Sequence, residues 1–122
     1  MKKMLMMCML GLALSQGARA ETSAQYAACR ERAGSNAVQV DLCIEKELAV
    51  QDTRLNEVYG KLAHQYAKDP AQRKALKTEE LAWLKDRDSE CQTKDGTGGT
   101  RPDCELDKTD SRATELESRL SQ

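Results

Sequence analysis

Apolar residues return at helical spacing through residues 48–66 (LAVQDTRLNEVYGKLAHQY), at Leu48, Leu55, Tyr59, Leu62 and Tyr66. Val40 and Ile44 extend the same stripe upstream. Two polar residues, Asp52 and Asn56, stand within it where a plain amphipathic helix would carry leucines. A second stretch, residues 81–91 (LAWLKDRDSEC), places Trp83, Arg87 and Cys91 on one helical face. These two segments are expected to pack on each other, with the rest of the chain closing around them. Farther on, Leu106, Thr109, Ala113, Leu116 and Leu120 repeat at 3-4-3-4 spacing, a narrow seam for a partner helix.

Helix boundaries follow from local chemistry. Thr22 precedes Gln25, Asn36 precedes Gln39, Asp69-Pro70 precedes Gln72, and Thr100 precedes Asp103 with Pro102 between. Each pairs a capping side chain with a residue three positions on, or sets Pro in the first turn. Pro70 also disfavours helix at Asp69, which divides one long helical pattern into two. The predicted helices span 23–33, 37–68, 71–92 and 103–120. The first ends at Gly34, suited to a left-handed cap. The second is roughly 45 Å long at 1.5 Å per residue. It contains Gly60, which costs about 1 kcal/mol against Ala and implies close packing or a bend. Leu76, Trp83 and Leu84 give the third its apolar side. Residues 93–101 (TKDGTGGTR) form the one long loop. It is no phosphate cradle, since no strand precedes it and no Lys-Ser/Thr follows its glycines. With no strand pattern, repeat or linker, the expected fold is a small all-α antiparallel bundle of about four helices.

The first twenty residues change the picture of what the mature chain is. Lys2 and Lys3, an apolar run from Met4 to Leu14, and Ala18-Arg19-Ala20 describe a signal peptide cleaved after Ala20. The run is too short to span a bilayer. Cys8 is a poor lipidation site, because bulky Met7 precedes it and cutting there would halve the apolar run. Residues 21–122 then form a single domain of 102 residues, with no stable membrane insertion after cleavage. Losing Lys2, Lys3 and Arg19, with no acid among them, takes the net charge from −1 to −4. That balance argues against nucleic acid and anionic lipid as partners and suits a cationic one.

The core is thin, with no Phe, three Tyr and one Trp. Cys29, Cys43, Cys91 and Cys104 supply covalent help; an even count in an exported chain reads as two disulfides. No C-x-x-C occurs and His64 is the only histidine, so the spacing does not suit zinc. An antiparallel bundle brings all four cysteines to one end. Pairing Cys29 with Cys43 and Cys91 with Cys104 closes two short loops, each worth about 3 kcal/mol. The alternative, Cys43 with Cys91 and Cys29 with Cys104, is sterically open.

Catalytic chemistry finds no support. His64 has no Ser or Cys at i±3 or i±4 to activate. Glu79 and Glu80 diverge by about 100° on a helix, and neither they nor Asp86 and Asp88 sit against an apolar pattern that would raise a carboxyl pKa. No cofactor is implied. Asp52 and Asn56 lie one turn apart, and Arg87 faces the same way as Trp83. A carboxylate and a guanidinium meeting between helices predict a bidentate clamp that fixes helix register, with a ligand site as the rival reading.

The two stretches together carry a resemblance. Asp52-x-x-Leu55-Asn56-x-x-Tyr59-x-x-Leu62, then Trp83-x-x-x-Arg87-Asp88-x-x-Cys91, then a Gly-rich loop, a Cys and Arg112-x-x-x-Leu116 resemble the LprI-type lysozyme-inhibitor domain. The likeness runs from about Cys29 to Leu120. One departure is Glu80, three residues before the Trp, where the family usually carries Gln. An acid there is expected to pair with a nearby Arg or Lys, or to tune partner choice. The resemblance implies an exported periplasmic or secreted helical protein that binds a lysozyme or related peptidoglycan hydrolase and is not an enzyme. The alternatives are an immunity-type protein or a structural cell-envelope protein. The motif residues look like a folding signature and leave the partner-binding residues unknown. The Gly-rich loop and the helix ends beside it are the first surface to try.

Overall fold

Short polar side chains take up free amides at the start of three of the four helices. The computed structural model describes residues 22–120, with α1 over Ala24–Ala33, α2 over Ala37–Gln65, α3 over Pro70–Glu90 and α4 over Pro102–Leu120. Asn36 accepts from the Gln39 amide and Asp69 from the Gln72 amide, both at 3.1 Å. Two expected caps move. Ser23, not Thr22, caps α1 by accepting from the Tyr26 amide at 3.2 Å, because Glu47 binds Ser23 and fixes it at the helix entrance. Thr100 does not cap α4; it pairs with Gln92 in an isolated bridge, and the helix starts at Pro102. α2 ends at Gln65 rather than Lys68, since the Asp69 amide turns back to the Tyr66 carbonyl at 2.9 Å. No strand forms among the described residues. The predicted signal peptide lies outside them.

α1 runs back along the first half of α2, α3 returns antiparallel, and α4 again follows the direction of α2. Arg54 of α2 meets Asp110 and Glu117 of α4, whereas Glu79, Glu80 and Arg87 of α3 meet Arg119, Arg112 and Thr109 in reverse order. The main seam is α2 against α4, and the α2 and α3 backbones hardly approach each other. The expected α2–α3 packing is made by side chains, with Leu76 joining Leu55, Val58 and Leu62, while α4 takes the close backbone seam with α2. Small Thr109 and Ala113, both fully buried, let α4 come close, whereas Tyr59, Trp83 and Arg87 hold α3 away.

The core is Leu55, Val58, Leu62, Leu76, Ala113 and Leu116, flanked by Tyr59, Tyr66, Trp83 and Leu120. α1 buries no residue and is held to α2 by the Cys29–Cys43 bond and by the hydrogen bonds from Ser23 to Glu47. The disulfides are Cys29–Cys43 and Cys91–Cys104, with Cα atoms 5.7 and 5.4 Å apart; the cross-pairing is not formed. One staples the α1–α2 turn, where Gly34 takes φ of 55°, and the other the base of the 93–101 loop. At Gly60 a Cβ would meet nothing within 4 Å, so close packing does not account for that glycine. No described helix is long and apolar enough to cross a membrane.

Candidate functional site

Asp52, Asn56 and Arg87 do converge, on a groove of about 410 Å³ between α2 and α3 whose floor includes Leu55, Tyr59 and Leu84. The expected bidentate clamp does not form there. Arg87 Nη1 stands 3.5 Å from Asp52 Oδ1, and Asp52 keeps 47% of its side chain in solvent. Arg87 is held instead by Asp88 at 3.0 Å, by donation to Thr109 Oγ1 at 3.2 Å, and by the Trp83 ring 5.4 Å from its Cζ. An adjacent carboxylate and an aromatic face reach the guanidinium more easily than an acid on a helix held at a distance. Asn56 is exposed, and no side-chain hydrogen bond forms at it.

The buried charge lies elsewhere, between α3 and α4. Arg112, with 4% of its side chain exposed, donates from Nε and Nη2 to Glu80 at 3.0 and 2.9 Å. Its Nη1 reaches Glu115 at 2.9 Å and Glu79 at 3.0 Å, and its Cζ stands 5.9 Å from the Trp83 ring. Arg119 bridges Glu79 and Glu115 on the outer side. Glu80 therefore pairs with an arginine, one of the two roles expected for it. Hydrogen bonds from Arg119 hold the Glu79 carboxyl below its ordinary range. Burial pushes Glu115 up, but hydrogen bonds from Arg119 and Arg112 outweigh it and leave that carboxyl lowered as well. Both acids are kept ionised, the reverse of what a general acid needs.

A second polar chain ties α1, α2 and α4 together, and sequence reasoning missed it. Glu47 accepts from the Ser23 amide at 2.7 Å and from its hydroxyl at 2.5 Å; Gln51 donates to Glu47 at 2.8 Å. Arg54 donates to Gln51 at 2.8 Å, to Asp110 at 2.7 Å, to Thr114 at 2.9 Å, and as a fork to Glu117 at 2.7 and 2.9 Å. Glu47 and Gln51 are each only 2% exposed. The available signal was the spacing of Ile44, Glu47, Gln51, Leu55, Val58 and Leu62, a helical stripe with two polar members.

The 93–101 loop is a closed hairpin. The Thr93 amide donates to the Gly99 carbonyl and the Arg101 amide to the Cys91 carbonyl, each at 2.8 Å. Asp95 Oδ1 accepts from the Thr97 hydroxyl at 2.6 Å, the Thr93 hydroxyl at 2.9 Å and the Thr97 amide at 3.0 Å. Those bonds, led by the Thr97 hydroxyl, press the Asp95 carboxyl down to about 2. Gly96 and Gly98 take φ of 80° and 73°, a region that side chains resist. Among the described residues no group of His, Cys, Asp and Glu is arranged to hold a metal ion.

A family model described as Lysozyme inhibitor LprI matches residues 29–116. The chain belongs to the LprI family. No curated protein and no solved structure matches it. The LprI match takes in α2, α3, the hairpin, both disulfides and most of α4. Of the residues that carried the resemblance, Leu55, Arg112 and Leu116 are buried, and Tyr59 and Trp83 pack against the core. Asp52, Asn56 and Asp88 reach solvent.

Proposed function

We propose that this LprI-family protein is exported to the periplasm or beyond, where it binds a lysozyme or related peptidoglycan hydrolase and blocks its cleft. The family match over residues 29–116 carries that reading. Two disulfides suit an oxidising compartment outside the cytoplasm. A net charge of −4 after loss of residues 1–20 steers the chain toward cationic enzymes, as lysozymes commonly are. A scaffold stapled at two of its three helix connections also loses little freedom on docking, which favours affinity from a modest contact area.

The test is a titration of purified residues 21–122 into a lysozyme acting on cell walls. Lysis should slow, with an end point near one inhibitor per enzyme. Inhibition should weaken toward about 0.5 M salt, where the Debye length falls to around 4 Å. A panel of animal- and bacterial-type lysozymes, all uninhibited at micromolar protein, would sink the inhibitor reading and move the immunity and envelope-structure readings ahead.

A further inference from the structure

The 93–101 hairpin is closely hydrogen-bonded within itself, yet none of its residues is buried. Residues 94–101 are all exposed. Against that, Asp95 gathers three hydrogen bonds, the Thr93 amide donates to the Gly99 carbonyl, and Cys91–Cys104 locks the base. Such a loop keeps its shape without help from the core. Rigid, pre-shaped loops bind with less ordering cost than mobile ones.

The charge on this hairpin opposes that of the whole chain. Lys94 and Arg101 border one concavity of about 430 Å³ with Thr93 and Asp95. Neither cation has a carboxylate partner among the described residues; Arg101 reaches only the Glu90 carbonyl, at 3.4 Å. The negative charge between them is occupied by the loop's own donors. Glycan-cleaving hydrolases flank the scissile bond with a pair of carboxylates roughly 5–9.5 Å apart, at the bottom of a cleft. An exposed hairpin with two cations free of carboxylate partners complements such a cleft in sign. The α2–α3 groove differs in sign: its Arg87 is already engaged by Asp88, Asp52 and Trp83, and its lining sets the carboxylates of Asp52 and Glu80 beside Lys77.

From this geometry we infer that the 93–101 hairpin is the inhibitory element, entering the hydrolase cleft with Lys94 and Arg101 set against its catalytic carboxylates. The inference rests on the inhibitor reading and assigns its contact surface. Asp95 is a positioning residue: it touches the loop and not the enzyme.

The experiment uses the mature chain and any lysozyme that it inhibits. Lys94→Glu combined with Arg101→Ala should raise the inhibition constant by at least about 30-fold, the scale of losing a desolvated charge pair. Inhibition should be competitive with a chito-oligosaccharide that fills the same cleft. Asp95→Ala should weaken inhibition and speed amide exchange in the hairpin without moving Tm, and Asp95→Asn, which keeps the accepting oxygen, should restore much of the loss. If the wild-type chain inhibits but the charge variants inhibit equally, or the oligosaccharide does not compete, the hairpin assignment is overturned and the inhibitor reading stands. If the wild-type chain inhibits no enzyme of the panel, both are overturned.

Discussion

Arg112→Ala is the most informative single change in this bundle. The guanidinium is almost wholly buried, and Glu80, with 12% of its side chain exposed, has no hydrogen-bond partner apart from Arg112. Glu79 and Glu115 are far more exposed and keep Arg119, so they lose little. The cost therefore concentrates on one stranded carboxylate and on the packing lost beside Trp83. Removing one partner of a buried pair costs about 3–5 kcal/mol. A domain of this size holds only about 5–15 kcal/mol in all. Each kcal/mol is worth roughly 4–8 °C, so Tm should fall by more than about 10 °C. Urea denaturation followed by far-UV circular dichroism gives the free energy directly, provided the slope is unchanged. Adding Glu80→Gln should recover at least about 1 kcal/mol by removing the stranded charge. A cost below about 1 kcal/mol, or strictly additive losses in the double variant, would refute the reasoning.

Two further outcomes follow from the same electrostatics. The Asp52–Arg87 contact, half in solvent at 3.5 Å, should show a double-mutant coupling under about 1 kcal/mol by urea denaturation; a coupling of several would mean the groove is drier than it looks. Glu79 and Glu117 are lowered by hydrogen bonds from Arg119 and Arg54, and Glu115 is lowered despite its burial. Their contribution is fully present above the unfolded carboxylate value near about pH 4.3 and is lost as pH falls through the depressed folded values. Tm measured from pH 7 to pH 2 should hold and then drop below about pH 4, and a flat profile would count against these pairs.

Where the relevant chemistry is local, the sequence was legible. Asn36 and Asp69-Pro70 mark helix starts because a cap needs only the residue three positions on. The α4 seam was legible too, since Leu106, Thr109, Ala113 and Leu116 are all buried at the spacing that suggested it. On α2 the same rule found Ile44, Leu55 and Leu62, which are buried, and missed the inward polar residues beside them. Leu48 and Tyr59 are only partly buried, whereas Glu47, Gln51 and Val58 face inward. Periodicity weighs each side chain by its own polarity. Glu47 becomes acceptable inside only because Ser23, 24 residues away, donates to it. Arg54 likewise depends on Asp110 and Glu117, 56 and 63 residues on. The clamp at Asp52, Asn56 and Arg87 failed for a related reason: facing the right way does not fix the distance between two helices.

Several residues that carry the resemblance lie in the core while the hairpin lies in solvent, and on the proposed reading this separates what sets the fold from what meets the target. Leu55, Trp83, Arg112 and Leu116 set how α2, α3 and α4 meet, and a docking partner has little access to them. The hairpin hangs from the end of α3 and the start of α4, tied by Cys91–Cys104, with every residue from Lys94 to Arg101 in solvent. Changing its side chains leaves the Leu62–Leu116 core untouched, provided Gly96, Gly98 and the Asp95 acceptor remain to hold its shape. On the proposed reading, one stapled bundle can therefore carry different hairpins to different clefts. Selectivity among hydrolases would then follow the charge and reach of positions 94 and 101, while stability followed Arg112 and Arg54.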